Sequence, residues 1–208
     1  MATKEEKLTF VRSKLFPGFE GYMVEDIKSL LAIDKTPGRT GACNFPIALY
    51  VLSCMEYLGY VTSVGEIKTN DRGYTQKRIR AYADAFFPEP DRSTMCGLWG
   101  DVTNIFRHGL SHVYFPKQGG VSRADSGHIL NQLPSGDQVL DADSLAKIFM
   151  VSISELANAL RDDDVLCERM FDRQEKLAHE HSSMQTFKET TSAPVQDDGW
   201  SGPPPMEA

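Results

Sequence analysis

The sequence has no long hydrophobic run. No window approaches the roughly 18 consecutive apolar residues that a membrane-spanning helix needs, so we expect no membrane span. The N-terminal residues 1–7 are charged and lead into no apolar stretch of the kind found in secretory signals. The four cysteines lie far apart without metal-ligand spacing, which favours reduced thiols. These absences predict a cytoplasmic protein.

The sequence also lacks an excess of positive charge. Its 22 lysines and arginines are outnumbered by 29 acidic residues, which gives a formal net charge of −7. This balance argues against a surface that coats nucleic acid or an anionic membrane without specificity. A local basic pocket stays compatible with it.

Helical periodicity dominates what is present. The apolar spacing predicts a mainly α protein, a helical bundle formed by one domain over residues 1–181. Pro17-Gly18 should end the first helix, and the stretch from 45 to 61 is apolar nearly all round and should be the central buried helix. The predicted helices cover 5–16, 20–33, 45–61, 74–87, 96–114, 144–160 and 162–181.

Two regions depart from this pattern. Residues 128–132 and 138–141 flank the turn sequence Leu-Pro-Ser-Gly-Asp, which predicts a small β-hairpin insertion around 121–142. Residues 182–208 show no apolar periodicity and end in a proline-rich stretch, so they cannot bury enough surface to offset their ordering entropy. We therefore expect a disordered C-terminal tail.

The most chemically distinctive stretch is Phe-Arg-His-Gly-Leu-Ser-His at 106–112, late in an amphipathic helix. The spacing of Arg107 and His112 alone is weak, because Arg123 and His128 repeat it in a segment of loop composition. Helical geometry places His108 and His112 on one face. A histidine can exchange a proton with a ribose hydroxyl, and a guanidinium can hold a phosphate. This combination suffices for metal-free RNA cleavage by the neighbouring hydroxyl.

The run from Arg107 to His112 resembles the signature of the HEPN superfamily, an arginine followed by Asn, Asp or His, then three residues and a histidine. The family contains helical bundles that commonly dimerise and bring two motifs into one cleft. The resemblance implies a metal-independent endoribonuclease or an RNA-binding protein that forms a homodimer. By that resemblance Arg107 and His112 are the catalytic pair and His108 is their polar helper, with no metal and no cofactor.

Other side chains are candidates for contacting the substrate. Tyr114 and Lys117 follow the motif directly, and Arg78 belongs to a basic group on the predicted helix 74–87 that could track an RNA backbone. The same basic group could equally be an exposed face paired with acidic residues such as Asp84. For Tyr114 and Lys117 the hypothesis that they line the same cleft rests on their proximity to the motif alone.

The role of Glu56 stays open. Glu56 lies within the apolar central helix and needs a partner there, for which Arg107 is the best candidate. The pair would either orient the arginine for function or only satisfy its hydrogen bonds within the bundle.

The alternative function is a non-catalytic helical scaffold that mediates self-association or partner binding. Arg173, near His179, is interpreted as part of a solvated helix face.

Overall fold

A computed structural model describes residues 2–35, 42–113 and 116–191 of the chain; the side chains of 113 and 181–191 lie outside this description. The protein is mainly helical with one small sheet, as the sequence predicts. The chain divides into two units, Met1–Arg173 and Gln174–Ala208, and all contacts discussed below lie within the first. The helices are α1 (Lys4–Phe10), α2 (Phe16–Leu31), α3 (Asn44–Thr62), α4 (Tyr74–Phe86), α5 (Asp91–Met95), α6 (Trp99–Asp101), α7 (His108–Val113), α8 (Ala142–Asp162) and α9 (Asp164–Thr191).

The predicted helix end at Pro17-Gly18 is wrong. A π-helical turn at Val11–Leu15 joins α1 directly to α2, so the helical path continues through the proline. Pro17 stands in the first turn of α2, where a missing N–H group is tolerated. The start of α1 is fixed by a capping box, in which Thr3 Oγ1 accepts from the Glu6 N–H at 3.3 Å and Glu6 Oε2 accepts from the Thr3 N–H at 2.7 Å.

Helix α3 lies at the centre of the fold, as predicted for 45–61. It packs against α2, α4 and α8, and Val51, Leu52, Met55 and Leu58 are fully buried along it. Among the described residues it is the one helix long and apolar enough to cross a bilayer, yet 61% of that stretch is buried inside the protein. A central core helix meets the same criterion.

Helices α3 and α4 approach each other very closely at Gly59. A Cβ atom at this position would lie 1.9 Å from the backbone oxygen of Arg78, so a side chain cannot be accommodated without moving α4. This contact fixes the position of α4, and therefore of Arg78 and Thr75, relative to the central helix.

The predicted hairpin is present. Strands β2 (Leu130–Gln132) and β3 (Gln138–Asp141) pair antiparallel, and the turn between them closes with a hydrogen bond from the Leu133 N–H to the Asp137 oxygen at 2.9 Å. A third strand, β1 (Gly120–Ser122), pairs parallel with β3 and gives the strand order β1-β3-β2. Its three residues are too short a run for periodicity to indicate a strand.

Arg123 joins three parts of the fold after β1. Its buried guanidinium contacts Asp143 Oδ1 on α8 at 2.8 Å. It also donates to the backbone oxygens of Leu31 at 2.8 Å, Ile33 at 3.0 Å and Ala42 at 2.7 Å. Asp143 further pairs with Lys35. Arg123 thus holds the end of α2 to α8. His128, which follows Arg123 at the spacing of the motif, is exposed.

The last helix, α9, extends beyond the predicted end at residue 181. The backbone of residues 182–191 is helical, and the remainder of the predicted tail, 192–208, lies outside the described residues. Cys54 and Cys167 are buried free thiols, Cys43 is half-buried and Cys96 is exposed. Burial raises the pKa of the Cys54 thiol to about 12.

Candidate functional site

The segment that carries the motif is helical but not one regular helix. Gly97 adopts a φ of +88°, which interrupts the helix predicted over 96–114. The helical path restarts at α6, widens into a π-helical turn at Val102–Arg107 and continues into α7. The motif thus begins on the last residue of the π-helical turn.

The two sides of this segment differ in polarity. Val102, Phe106 and Leu110 are buried and anchor the segment in the core. Of the motif side chains, Arg107 is half-buried and His112 is exposed. Packing of the apolar side therefore leaves His112 at the surface.

Arg107 forms an ion pair with Glu56 of α3, as the sequence suggested. Arg107 Nη2 lies 3.1 Å from Glu56 Oε2, and both side chains are mostly buried. The other Glu56 oxygen accepts a hydrogen bond from Thr75 Oγ1 at 3.0 Å. Thr75 carries no sequence signal for this role, because only the packing of α4 on α3 brings it there. Arg107 Nε and Glu56 Oε2 are buried without a hydrogen-bond partner among the described residues.

His108 and His112 lie side by side. Their ring centroids are 6.0 Å apart and the ring planes differ by 16°, so the imidazoles are stacked. Burial is the largest cause that lowers the pKa of His108, followed by the electrostatic effects of Lys117, Arg107 and His112. Glu56 opposes this effect in part. The lowered pKa favours the neutral imidazole of His108, which can accept a proton.

Lys117 joins the same face from the segment that follows α7. Its backbone N–H donates to the Ile105 oxygen at 3.0 Å, and its Nζ donates to Asn104 Oδ1 at 3.0 Å. Asn104 was missed at the sequence level, since a single exposed asparagine carries no distinctive pattern. Tyr114, the other predicted neighbour, lies outside the described residues.

The structure does not bring Arg78 to this cluster. The side chain is buried, and its Nε and Nη2 donate to the Ile67 oxygen at 3.0 and 2.6 Å. The guanidinium also lies over the rings of Tyr60 and Tyr74, at 4.4 and 5.0 Å. The expectation of an exposed RNA-tracking side chain is therefore wrong for this arginine. The nearby Arg80 is exposed and pairs with Asp84 at 3.1 Å.

Residues that could ligate a metal do not gather at the motif. Over residues 2–35, 42–113 and 116–180, no group of three His, Cys, Asp or Glu side chains is placed to hold a metal ion. What the cluster offers is a guanidinium, a second imidazole and an ammonium near enough to His108 to act on its charge. Such groups bind anions and transfer protons.

Comparison with known proteins yields no relative. No protein-family model matches the chain, and neither a search of curated proteins nor one of solved structures finds a match. Function must therefore be inferred from the geometry of the cluster and the resemblance of its motif.

Replacing Lys117 with alanine is expected to raise the pKa of His108, because one of the positive charges that lower it is lost. An NMR titration of the His108 imidazole measures this directly. Lys77→Ala, at an exposed position on α4, is the matched control and should leave the His108 pKa unchanged. An unchanged or lower His108 pKa in Lys117→Ala would show that the two groups do not interact.

Proposed function

We propose that the protein is a metal-independent endoribonuclease that resembles the HEPN superfamily and acts in the cytoplasm as a homodimer. Arg107 and His112 are the catalytic pair, His108 assists them and Lys117 contacts the RNA phosphate. One observation carries the proposal: the stacked imidazoles of His108 and His112 lie close to the Arg107 guanidinium and the Lys117 ammonium, both of which act on the charge of His108. These are the groups that cleavage by a ribose hydroxyl requires.

The proposed reaction is an intramolecular transesterification, in which the phosphorus exchanges its bond to the 5′-oxygen for a bond to the 2′-oxygen. His112 takes the proton from a ribose 2′-hydroxyl, the 2′-oxygen bonds to the adjacent phosphorus, and the bond from phosphorus to the 5′-oxygen breaks. Arg107 stabilises the charge that develops on the phosphate oxygens. In a homodimer that joins two motifs in one cleft, the protonated His112 of the second copy gives its proton to the leaving 5′-oxygen. The products are a 2′,3′-cyclic phosphate and a 5′-hydroxyl.

Two features of the backbone and side chains support a functional use of Arg107. π-Helical turns inside helices are rare and frequently occur at functional sites, and Arg107 ends such a turn. Its buried Nε–H has no hydrogen-bond partner among the described residues, although burying an unpaired donor is costly. A phosphate oxygen bound there would satisfy that group.

One observation favours the alternative of a non-catalytic helical scaffold that mediates self-association or partner binding. Arg107 is paired with Glu56, which also binds Thr75, so the arginine links the motif segment to α3 and α4. In that function the ion pair holds the bundle together and the histidines are surface residues.

Incubation of the purified chain with an end-labelled RNA in EDTA separates these functions. The nuclease cleaves the RNA and leaves 2′,3′-cyclic phosphate and 5′-hydroxyl ends. Intact RNA after incubation with a folded, self-associating protein would favour the scaffold.

Arg107→Lys is expected to lower RNA cleavage by about tenfold, the equivalent of one charge-assisted hydrogen bond. Lysine keeps a positive charge beside Glu56 but loses the planar fork that holds two phosphate oxygens. Single-turnover cleavage rates measure the loss, and circular dichroism checks the fold. Arg92→Lys, at a partly exposed arginine paired with Glu89, is the matched control and should cleave at the wild-type rate. Equal rates for both variants would contradict a role for the guanidinium.

A further inference from the structure

A second cluster of arginines lies at the C-terminal end of α3, where Arg78 meets two side chains of α9. Arg169 Nη1 donates to the Thr62 oxygen at 2.7 Å. Arg173 Nη1 donates to the Tyr60 oxygen and, at 3.0 Å, to Ser63 Oγ. Arg173 is buried, which corrects its interpretation as part of a solvated face. The guanidinium groups of Arg78 and Arg173 both lie against the Tyr60 ring, at 4.4 and 5.7 Å.

Uncharged acceptors hold the three guanidinium groups. Among the described residues none of the three arginines forms an ion pair; their hydrogen-bond acceptors are backbone carbonyls and one hydroxyl. A helix C-terminus supplies only about half a negative charge. Burial lowers the pKa of Arg173, and the neighbouring charges of Arg169 and Arg78 lower it further, with partial opposition from Tyr60 and Glu66. Holding two buried guanidinium groups beside a third in this way is costly.

Donors in this cluster remain available to a ligand. A guanidinium carries five N–H donors. Within the described part of the chain, Arg169 and Arg173 donate through Nη1, and Arg78 donates through Nε and Nη2 to one carbonyl. Arg169 is half-buried and therefore partly open to solvent, and Arg78 and Arg173 are each 8% exposed.

We propose that Arg78, Arg169 and Arg173 form a binding site for a phosphate group, carried by a small molecule or free in solution. Phosphate fits better than a carboxylate, because it offers three oxygens and up to two negative charges to three planar donors. The site is separate from the Arg107 cluster and does not depend on ribonuclease activity.

Isothermal titration calorimetry on the full chain tests this site with orthophosphate, pyrophosphate, AMP and adenosine, in sodium chloride of matched ionic strength. Saturable binding of orthophosphate, with none of adenosine, supports the proposal. AMP that binds more than tenfold tighter than orthophosphate identifies a nucleotide as the source of the phosphate; equal affinities identify the free anion. The absence of saturable binding by every phosphate compound overturns the proposal.

Substitutions test whether phosphate binds at this cluster of arginines. Arg169→Gln removes one charge from a half-buried position and should weaken phosphate binding at least tenfold. Arg161→Gln, at an exposed arginine of α8, is the matched control and should leave the affinity within twofold. If Arg169→Gln fails to fold, Arg169→Lys keeps the charge without the fork and should bind phosphate several-fold more weakly. Unchanged affinity in a folded Arg169 variant, or an equal loss in Arg161→Gln, overturns the proposal.

Discussion

RNA cleavage is expected to fall by roughly 10²–10⁴-fold when His112 is replaced by alanine, the range that general acid–base catalysis contributes. His112 is the exposed member of the stacked pair, so it is the imidazole that a ribose hydroxyl can reach. Its exposure also means that truncation removes little packing, and we expect the stability of the fold to change by less than about 0.5 kcal/mol. Single-turnover cleavage and urea denaturation measure the two effects.

The matched control for this variant is His128→Ala, because His128 is also exposed and follows an arginine at the same spacing. Cleavage by His128→Ala should equal that of the wild-type protein. Comparable losses of cleavage in both variants, or full activity of His112→Ala, would show that His112 takes no part in the reaction.

Arg123→Ala is expected to destabilise the fold by about 3–5 kcal/mol, the usual cost of removing one partner of a buried ion pair. The truncation leaves Asp143 buried with Lys35 as its remaining ion-pair partner among the described residues. It also removes the donor for the backbone oxygens of Leu31, Ile33 and Ala42. The side chain of Arg123 is 4% exposed, so water cannot replace these contacts without opening the structure. The midpoint of urea denaturation measures the loss.

Arg161→Ala is the control for this measurement, since its exposed side chain should contribute within about 0.5 kcal/mol. Arg123→Ala must retain RNA cleavage at temperatures where it is folded, because Arg123 belongs to the fold and not to the proposed site. A loss below about 1 kcal/mol would show that the contacts of Arg123 are not maintained in solution.

Sequence patterns predicted the parts of the fold whose signal is local. The apolar stretch from 45 to 61 identified the central helix, and the turn at 133–137 identified the hairpin. The errors arose where neighbours in space decide the conformation. A π-helical turn lets the chain pass Pro17 without a break, and strand β1 exists only because β3 lies beside it.

The candidate site was predictable to a similar extent. Glu56 and Arg107 were paired from the cost of burying a lone carboxylate, and the structure confirms that ion pair. Arg78 and Arg173 were misplaced, because a charged side chain on a helix predicts a solvated face unless its distant partners are known. Tyr60 and the carbonyls at the end of α3 supply those partners, and no local sequence pattern predicts them.

We propose that this cluster cleaves RNA by attack of the neighbouring 2′-hydroxyl. A single 2′-deoxy nucleotide placed on the 5′ side of a cleaved bond, in an otherwise unchanged RNA incubated with the wild-type chain in EDTA, tests it most directly. We predict that cleavage at that bond falls below detection while other bonds in the same molecule are still cut. Cleavage of the 2′-deoxy bond at an undiminished rate, or no cleavage of the all-ribose RNA, would contradict the claim.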